Sequence, residues 1–289
     1  MESLVNALVS GLISGSLYAI MALGLTIIYG VSRVFNFGHG IVAVVGAYIA
    51  WLFLTDVGIG LVPSVLVSLP IMLVFGWVLY RLTISPLLKK PNWEFSTVLF
   101  MLGLGILLEN VTLQLFGPRV KSMPKFFEGS LKLGFVKINW NEISLIAIVV
   151  VGIMILNILF KRSRTGQAMR AVAQSIPGAR VVGIDIERIF GYTFGLAFAV
   201  TGFSGVLLGT KYYMTPHIGW EWMIKGFVIV SLGGLGSTTG AIYAAVILGT
   251  VEALATLYLG AIWVWPIWFT MFVIILLIRP QGILGGRMM

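Results

Sequence analysis

Residues 1–40, MESLVNALVSGLISGSLYAIMALGLTIIYGVSRVFNFGHG, decide how this chain has to be read. The first thirty carry one acid, Glu2, and no basic residue. About 20 apolar residues of helix cross the roughly 30 Å of a bilayer's hydrocarbon, so this stretch reads as a membrane span. It lacks a basic n-region and is longer than an h-region of about 7–15 residues, so it is expected to be retained rather than cleaved. At 36–40, NFGHG then breaks the apolar run with two glycines, an amide and a histidine.

The rest of the chain has the same character. Of 289 residues, 59% are hydrophobic and 10% charged, with a mean hydropathy of +1.04. Soluble domains carry about 25% charged residues, so lipid must replace water over most of this surface. The apolar segments are continuous instead of alternating over about ten residues, which excludes a β-barrel. The fold class is an all-α polytopic membrane protein, a single transmembrane domain over residues 1–289. There are no cysteines, hence no disulfides or thiolate metal sites. The net charge of +9 belongs to loops that set orientation; no basic, aromatic-interleaved soluble module is present to bind nucleic acid.

Spans are expected near 4–30, 39–55, 59–81, 95–116, 143–160, 189–210, 223–236, 238–259 and 262–278. The seventh is short and ends in GGLGSTTG at 233–240, so eight and nine crossings are both compatible with the pattern. With the N-terminus outside, Arg33, Arg81, Lys89, Lys90, the loop 161–188, Arg279 and Arg287 face the cytoplasm, as positive residues prefer. Arg119, Lys121, Lys125, Lys132 and Lys137 then fall outside, partly balanced by Glu128 and Glu142. The 161–188 loop has the densest positive charge and decides the orientation. Segments 1–160 and 189–289 each hold a long apolar helix followed by a glycine-broken region. Their first helices run in opposite directions, the plan of inverted repeats with interrupted helices. The competing explanation is that glycine simply permits close helix packing, for which Gly11/Gly15, Gly191/Gly195, Gly205/Gly209 and Gly236/Gly240 have the spacing.

Enzyme chemistry finds little support. The two histidines, His39 and His217, sit in no H-E-x-x-H pattern, and no serine lies in G-x-S-x-G. GVLLGTK at 205–211 has three residues between its glycines where a P-loop has four, and it ends a hydrophobic span. Any ATP used must be hydrolysed by a partner. Polar residues inside spans are few and therefore informative. Glu109, Asn110 and Gln114 lie in GILLENVTLQLF, the last two on one helical face; Glu252 lies in GTVEALATLY. Either these carboxylates line a polar cavity, or they are structural hydrogen-bonding groups near the interface. Asn36 and His39 stand at the first break and Gly234 and Gly236 at the second; irregular backbone at membrane depth survives only beside protein or water. His39 reads as a helix-start residue near the cytoplasmic interface or as a substrate contact. Trp263, Trp265 and Trp268 read as an interfacial belt.

The polar passage 162–188 carries five arginines and two acids. GQAMRAVAQ is built of helix formers, and a second short helix is expected after Ser175, with Pro177 in its first turn and Gly183 ending it. Met169 and Val172 share a face that would suit a groove on a soluble partner; a solvated loop or a helix lying on anionic lipid is the alternative.

GQAMRAVAQSIPGARVVGID (166–185) resembles the cytoplasmic loop of branched-chain amino acid ABC permeases of the LivH type. The opening GLISGSLYAIMALGLTIIYGVSRVFNFGHG, LGGLGSTTGAIYAAVILGTVEAL (232–254) and RPQGILG (279–285) are similar to other blocks of that family, and urea-type permeases share most of them. The resemblance implies an importer subunit of a bacterial or archaeal cytoplasmic membrane that binds no cofactor itself. It would work with a second permease (a LivM-like paralogue or an identical copy), two cytoplasmic ATPases using ATP and magnesium, and an external substrate-binding protein. It also places Gly166, Met169, Arg170, Ala171, Ala173, Gly183 and Asp185 in the loop that couples to the ATPase. Gln167, Ser175 and the IPG at 176–178 depart from the family pattern. A self-sufficient secondary transporter using Glu109 or Glu252 is the competing expectation, and a scaffold without transport a third.

Overall fold

The computed structural model describes residues 2–133 and 136–285. Arg287 lies outside the described residues. The helices are α1 (Glu2–Ser32), α2 (His39–Thr55), α3 (Leu61–Leu79), α4 (Ser85–Leu87), α5 (Trp93–Phe116), α6 (Trp140–Arg162), α7 (Arg164–Gln174), α8 (Ile176–Val181), α9 (Ile186–Lys211), α10 (Ile218–Gly233), α11 (Thr238–Tyr258) and α12 (Val264–Ile278). A π-helical turn, Tyr80–Ile84, joins α3 to α4. Strands β1 (Ser130–Leu133) and β2 (Val136–Asn139) form an antiparallel hairpin, with Ser130 opposite Asn139, that the apolar pattern did not announce.

Among the described residues, seven helical stretches are long and apolar enough to cross a membrane. The other two expected spans are short: α2 has 17 residues and α10 has 16. The seventh span was expected at 223–236; α10 in fact begins five residues earlier and stops at Gly233. Gly234 and Gly236 take φ of +103° and +84°, a region that L side chains rarely adopt and that ends a helix.

Helices apolar on every side belong in the middle of a bundle. Accordingly, 89% of the apolar window of α1 and of α9 is buried within the protein, against 17% for α6 and 11% for the α12 segment. The two central helices are antiparallel: Ser14 meets Tyr212 (2.8 Å) and Lys211 (2.9 Å), while Gly24 faces Ala197 and Thr201. The neighbours repeat this inversion. α11 lies along α1 as α3 lies along α9, and α10 meets α12 as α2 meets α5. The halves are therefore α1–α5 and α9–α12, with α6 to α8 between them. Glycines set the distances: a Cβ on Gly11 would come within 2.7 Å of the Thr250 Cα, and one on Gly195 within 2.8 Å of the Leu73 carbonyl. Contacts this close are the packing role of small residues in lipid.

Short helices α7 and α8 cap one end, where Lys89 also pairs with Glu187 at 2.8 Å. The hairpin lies at the opposite end, beside the end of α9, where Asn141 donates to the Thr210 carbonyl (3.5 Å). The loop before the hairpin is fastened there too. Lys121 exchanges backbone hydrogen bonds with Met214 (2.9 and 2.7 Å), and its ammonium sits 3.5 Å from the Trp51 ring centroid. Burial lowers the Lys121 pKa, against a smaller opposing pull from Asp56.

Candidate functional site

Helices α2 and α10 start against each other, and α2 starts inside the bundle. His39, the first residue of α2, is fully buried. Its Nε2 lies 2.9 Å from the Met21 carbonyl oxygen, and Thr201 Oγ1 is 3.4 Å away. Met21 is eleven residues back from the end of α1, roughly 16 Å of helix. His39 is thus a helix-start residue held deep in the bundle, not at the interface where one reading placed it. Chain 33–38 doubles back to reach this depth, with Arg33 at φ +59°. Asn36 is buried and its Oδ1 accepts from the Gly38 N–H (3.0 Å); its Nδ2 has no partner.

The first turn of α10 crosses the first turn of α2. A Cβ on Gly40 would lie 2.0 Å from the Gly219 carbonyl oxygen, and one on Gly219 would lie 2.8 Å from the Ile41 Cα. Only glycine on both sides permits this crossing. On its other flank α10 meets α5. Glu109 accepts from His217 Nδ1 through Oε1 and from Trp220 Nε1 through Oε2 at 2.6 Å. Asn110 and Gln114 do not join that set: both are exposed, and the Asn110 amide donates to the Ile106 carbonyl of its own helix (2.7 Å).

His217, Glu221 and Lys225 follow at four-residue intervals, which places them on one side of α10. Lys225 is 6% exposed. It donates to the Tyr18 hydroxyl oxygen (2.9 Å) and to Glu252 Oε1 (3.1 Å), and pairs with Glu221 at 3.2 Å. The Tyr18 hydroxyl also donates to Glu252 Oε1 (3.2 Å), and the rings of Tyr18, Trp265 and Trp268 surround the ammonium at 4.9–5.6 Å. Glu252 is therefore one arm of a buried charge cluster. Lys225 escaped the sequence reading because it sits near the start of the expected span 223–236; the signal was the run His217, Glu221, Lys225. Trp268 is not an interfacial residue: it is fully buried and meets Tyr18 edge to face at 5.9 Å. Trp263 remains exposed.

At the capped end the apolar face of α7 turns inward. Met169 and Val172 are each 1% exposed and pack with Ile27, Ile28, Val31 and Ala179. Their groove is supplied by this chain, which corrects the expectation that a soluble partner covers them. A Cβ on Gly166 would lie 2.3 Å from the Leu159 carbonyl oxygen, so α7 is pressed onto α6. Ala171 and Ala173 are half-buried. Ser163, Ser175 and Asp185 cap α7, α8 and α9 by accepting from Gly166, Gly178 and Arg188, and Gly183 (φ +81°) ends α8. The outward side carries Arg170, Arg180 and the tip Val181–Val182, 87% and 73% exposed. Between α1, α6, α7 and α11 is a cavity of about 530 Å³ whose wall includes Thr26, Asn157, Arg170, Ala173, Gly236 and Thr238. It joins the second break to the cap.

Interrupted helices meeting deep in a bundle, with a protruding helical pair at one end, suit a transported substrate better than a reaction centre. The model of the family described as branched-chain amino acid transport system / permease component matches residues 7–279. The chain belongs to this family. The high-affinity branched-chain amino acid transport system permease protein LivH of Escherichia coli K12 is 30% identical over 96% of this chain and 94% of its own. BraD, the permease protein of the same description from Pseudomonas aeruginosa, is 31% identical over the same shares. LivM of Salmonella typhimurium is 27% identical over 93% of this chain and 68% of its own. No solved structure is significantly similar. Members of this permease family are transport components, and this one is a multi-pass protein of the cytoplasmic membrane.

Proposed function

We propose that this permease is the membrane subunit of an ABC importer and carries branched-chain amino acids inward. A binding protein delivers them outside, and two cytoplasmic ATPases that use ATP and magnesium drive the cycle. The chain itself binds no cofactor, and a LivM-like paralogue serves as its second permease, since relatives of both kinds resemble it. Substrate passes beside the breaks that hold Asn36, His39, Gly234 and Gly236, with Glu109 and Glu252 fixing the helices around them.

The observation that carries this reading is the tip of α8. Two exposed valines follow Arg180, on a helix pair whose inner side is buried in the core. Exposed apolar side chains rimmed by polar residues on a water-facing loop mark a protein–protein contact. The secondary-transporter reading is weaker, because both oxygens of Glu109 are engaged and Lys225 already neutralises Glu252. The test is a Val181→Asp/Val182→Asp permease reconstituted with its ATPases and binding protein. Loss of ATP-driven uptake from correctly inserted protein is expected; uptake at the wild-type rate would remove the coupling role.

A further inference from the structure

The break at 33–38 has properties that neither packing nor the charge cluster uses. Among the described residues, the backbone N–H groups of Phe35, Asn36 and Phe37 have no hydrogen-bond partner. The Asn36 Nδ2 beside them is also unpartnered, in a residue 2% exposed. They lie just before the N-terminus of α2, a 17-residue helix whose dipole favours negative charge there. A buried amide left without a partner is costly, so the Asn36 Nδ2 calls for an acceptor.

Alongside the donors lies an apolar surface. Phe37 stacks on Phe227 of α10 with centroids 5.9 Å apart, and Phe35 lies 6.3 Å from Phe227 and 6.2 Å from Phe37. All three rings are half-buried, and none packs into the hydrophobic core of the bundle. Phe272, which does pack on that core, backs Phe227 at 6.3 Å. Lipid cannot cover this place, because irregular backbone with unsatisfied polar groups does not survive against hydrocarbon. A carboxylate joined to a short aliphatic side chain matches both parts.

Resting on the importer reading above, we propose that this break is the substrate subsite. The Asn36 amide and the N–H groups of residues 35–37 receive the α-carboxylate of an amino acid. Phe35, Phe37 and Phe227 form the wall that measures its side chain.

The experiment uses the reconstituted importer with binding protein pre-loaded with one amino acid at a time, so that the delivering protein's own preference drops out. Phe227→Ala and Phe37→Ala enlarge the wall and should move the ratio of phenylalanine to valine uptake upward by roughly tenfold, the lower end of what a methylene or so in an apolar pocket decides. A gain on the larger substrate cannot come from misfolding. Asn36→Asp keeps the acceptor for the Gly38 N–H but loses the free donor and adds a negative charge; uptake of every amino acid should fall at least about tenfold. The proposal is overturned if the phenylalanine variants lower all substrates in equal proportion, or if Asn36→Asp transports at the wild-type rate because only water occupied those donors. A wild-type complex with no ATP-driven uptake at all would instead overturn the importer reading beneath it.

Discussion

Lys225→Met leaves the volume of the side chain nearly unchanged and removes its charge. In the wild type the Lys225 side chain is 7% exposed, and its ammonium holds Glu252 at 3.1 Å, Glu221 at 3.2 Å and the Tyr18 hydroxyl at 2.9 Å. Without it, Glu252 keeps only the Tyr18 hydroxyl on Oε1, and its Oε2 is already buried without a partner. Stranding one member of a buried pair costs about 3–5 kcal/mol. The Glu221 arm adds little, since its side chain is 41% exposed and solvent-screened pairs contribute about 0–1 kcal/mol. At about 2–4 °C per kcal/mol for chains of 150–250 residues, the purified permease should lose roughly 6–20 °C in Tm. Glu252→Met should lose a comparable amount, because Lys225 is then the stranded charge. The double variant Lys225→Met/Glu252→Met should recover most of the loss, since replacing both partners by apolar groups of similar size is close to neutral. Thermal unfolding of the four proteins in one detergent makes the comparison. A Lys225→Met protein as stable as the wild type, or a double variant no better than either single one, would refute the reasoning.

Gly40→Ala puts a methyl carbon 2.0 Å from the Gly219 carbonyl oxygen, and forcing α2 and α10 apart should cost more than the usual 1–3 kcal/mol of overpacking, read as lost yield of folded protein. Met169→Ala removes a fully buried side chain and should destabilise by about 2–5 kcal/mol in thermal unfolding. Val181→Asp/Val182→Asp should leave Tm within the effect of about 0.5 kcal/mol typical of surface changes while abolishing ATP-driven uptake. Trp220→Phe deletes the donor 2.6 Å from Glu109 Oε2; a loss of about 1–3 kcal/mol in thermal unfolding is expected, as for an acceptor left unsatisfied.

The nine apolar runs all became helices, because length and hydropathy alone determine whether a segment can leave water. Facing was harder to read. α1 and α9 are apolar all round, so no periodic stripe distinguishes the side that meets a helix from the side that would meet lipid. The direction of α1 against α9 could be anticipated from loop charge, and the paired breaks from glycine. The depth of His39 could not, since it depends on chain 33–38 turning back into the bundle. α7 shows the reverse problem: its stripe is clear, but a stripe does not say who covers it, and α1, α6 and α9 do so here. Lys225 was hidden because a cation near an assumed span end looks solvated until Glu252 and Tyr18 are brought to it from helices far away in sequence.

The inverted halves are alike in architecture and unlike in how their breaks are held. α10 is fastened on two flanks by charge, through Glu109 to α5 and through Lys225 to α1 and α11, so its backbone moves only as a unit with those contacts. The break before α2 has no ion pair; glycine contacts and one histidine locate it, and the buried Asn36 amide has no partner. α10 also ends at Gly233, immediately before the two positive-φ glycines that line or adjoin the cavity under α7. α10 thus runs from the cavity under α7, past Phe227 in its middle, to Gly219 at its far end, where it presses on the start of α2. On the importer reading proposed above, the half fastened by ion pairs would transmit movement and the half with the unpaired Asn36 amide would bind, the division of labour an alternating-access permease requires.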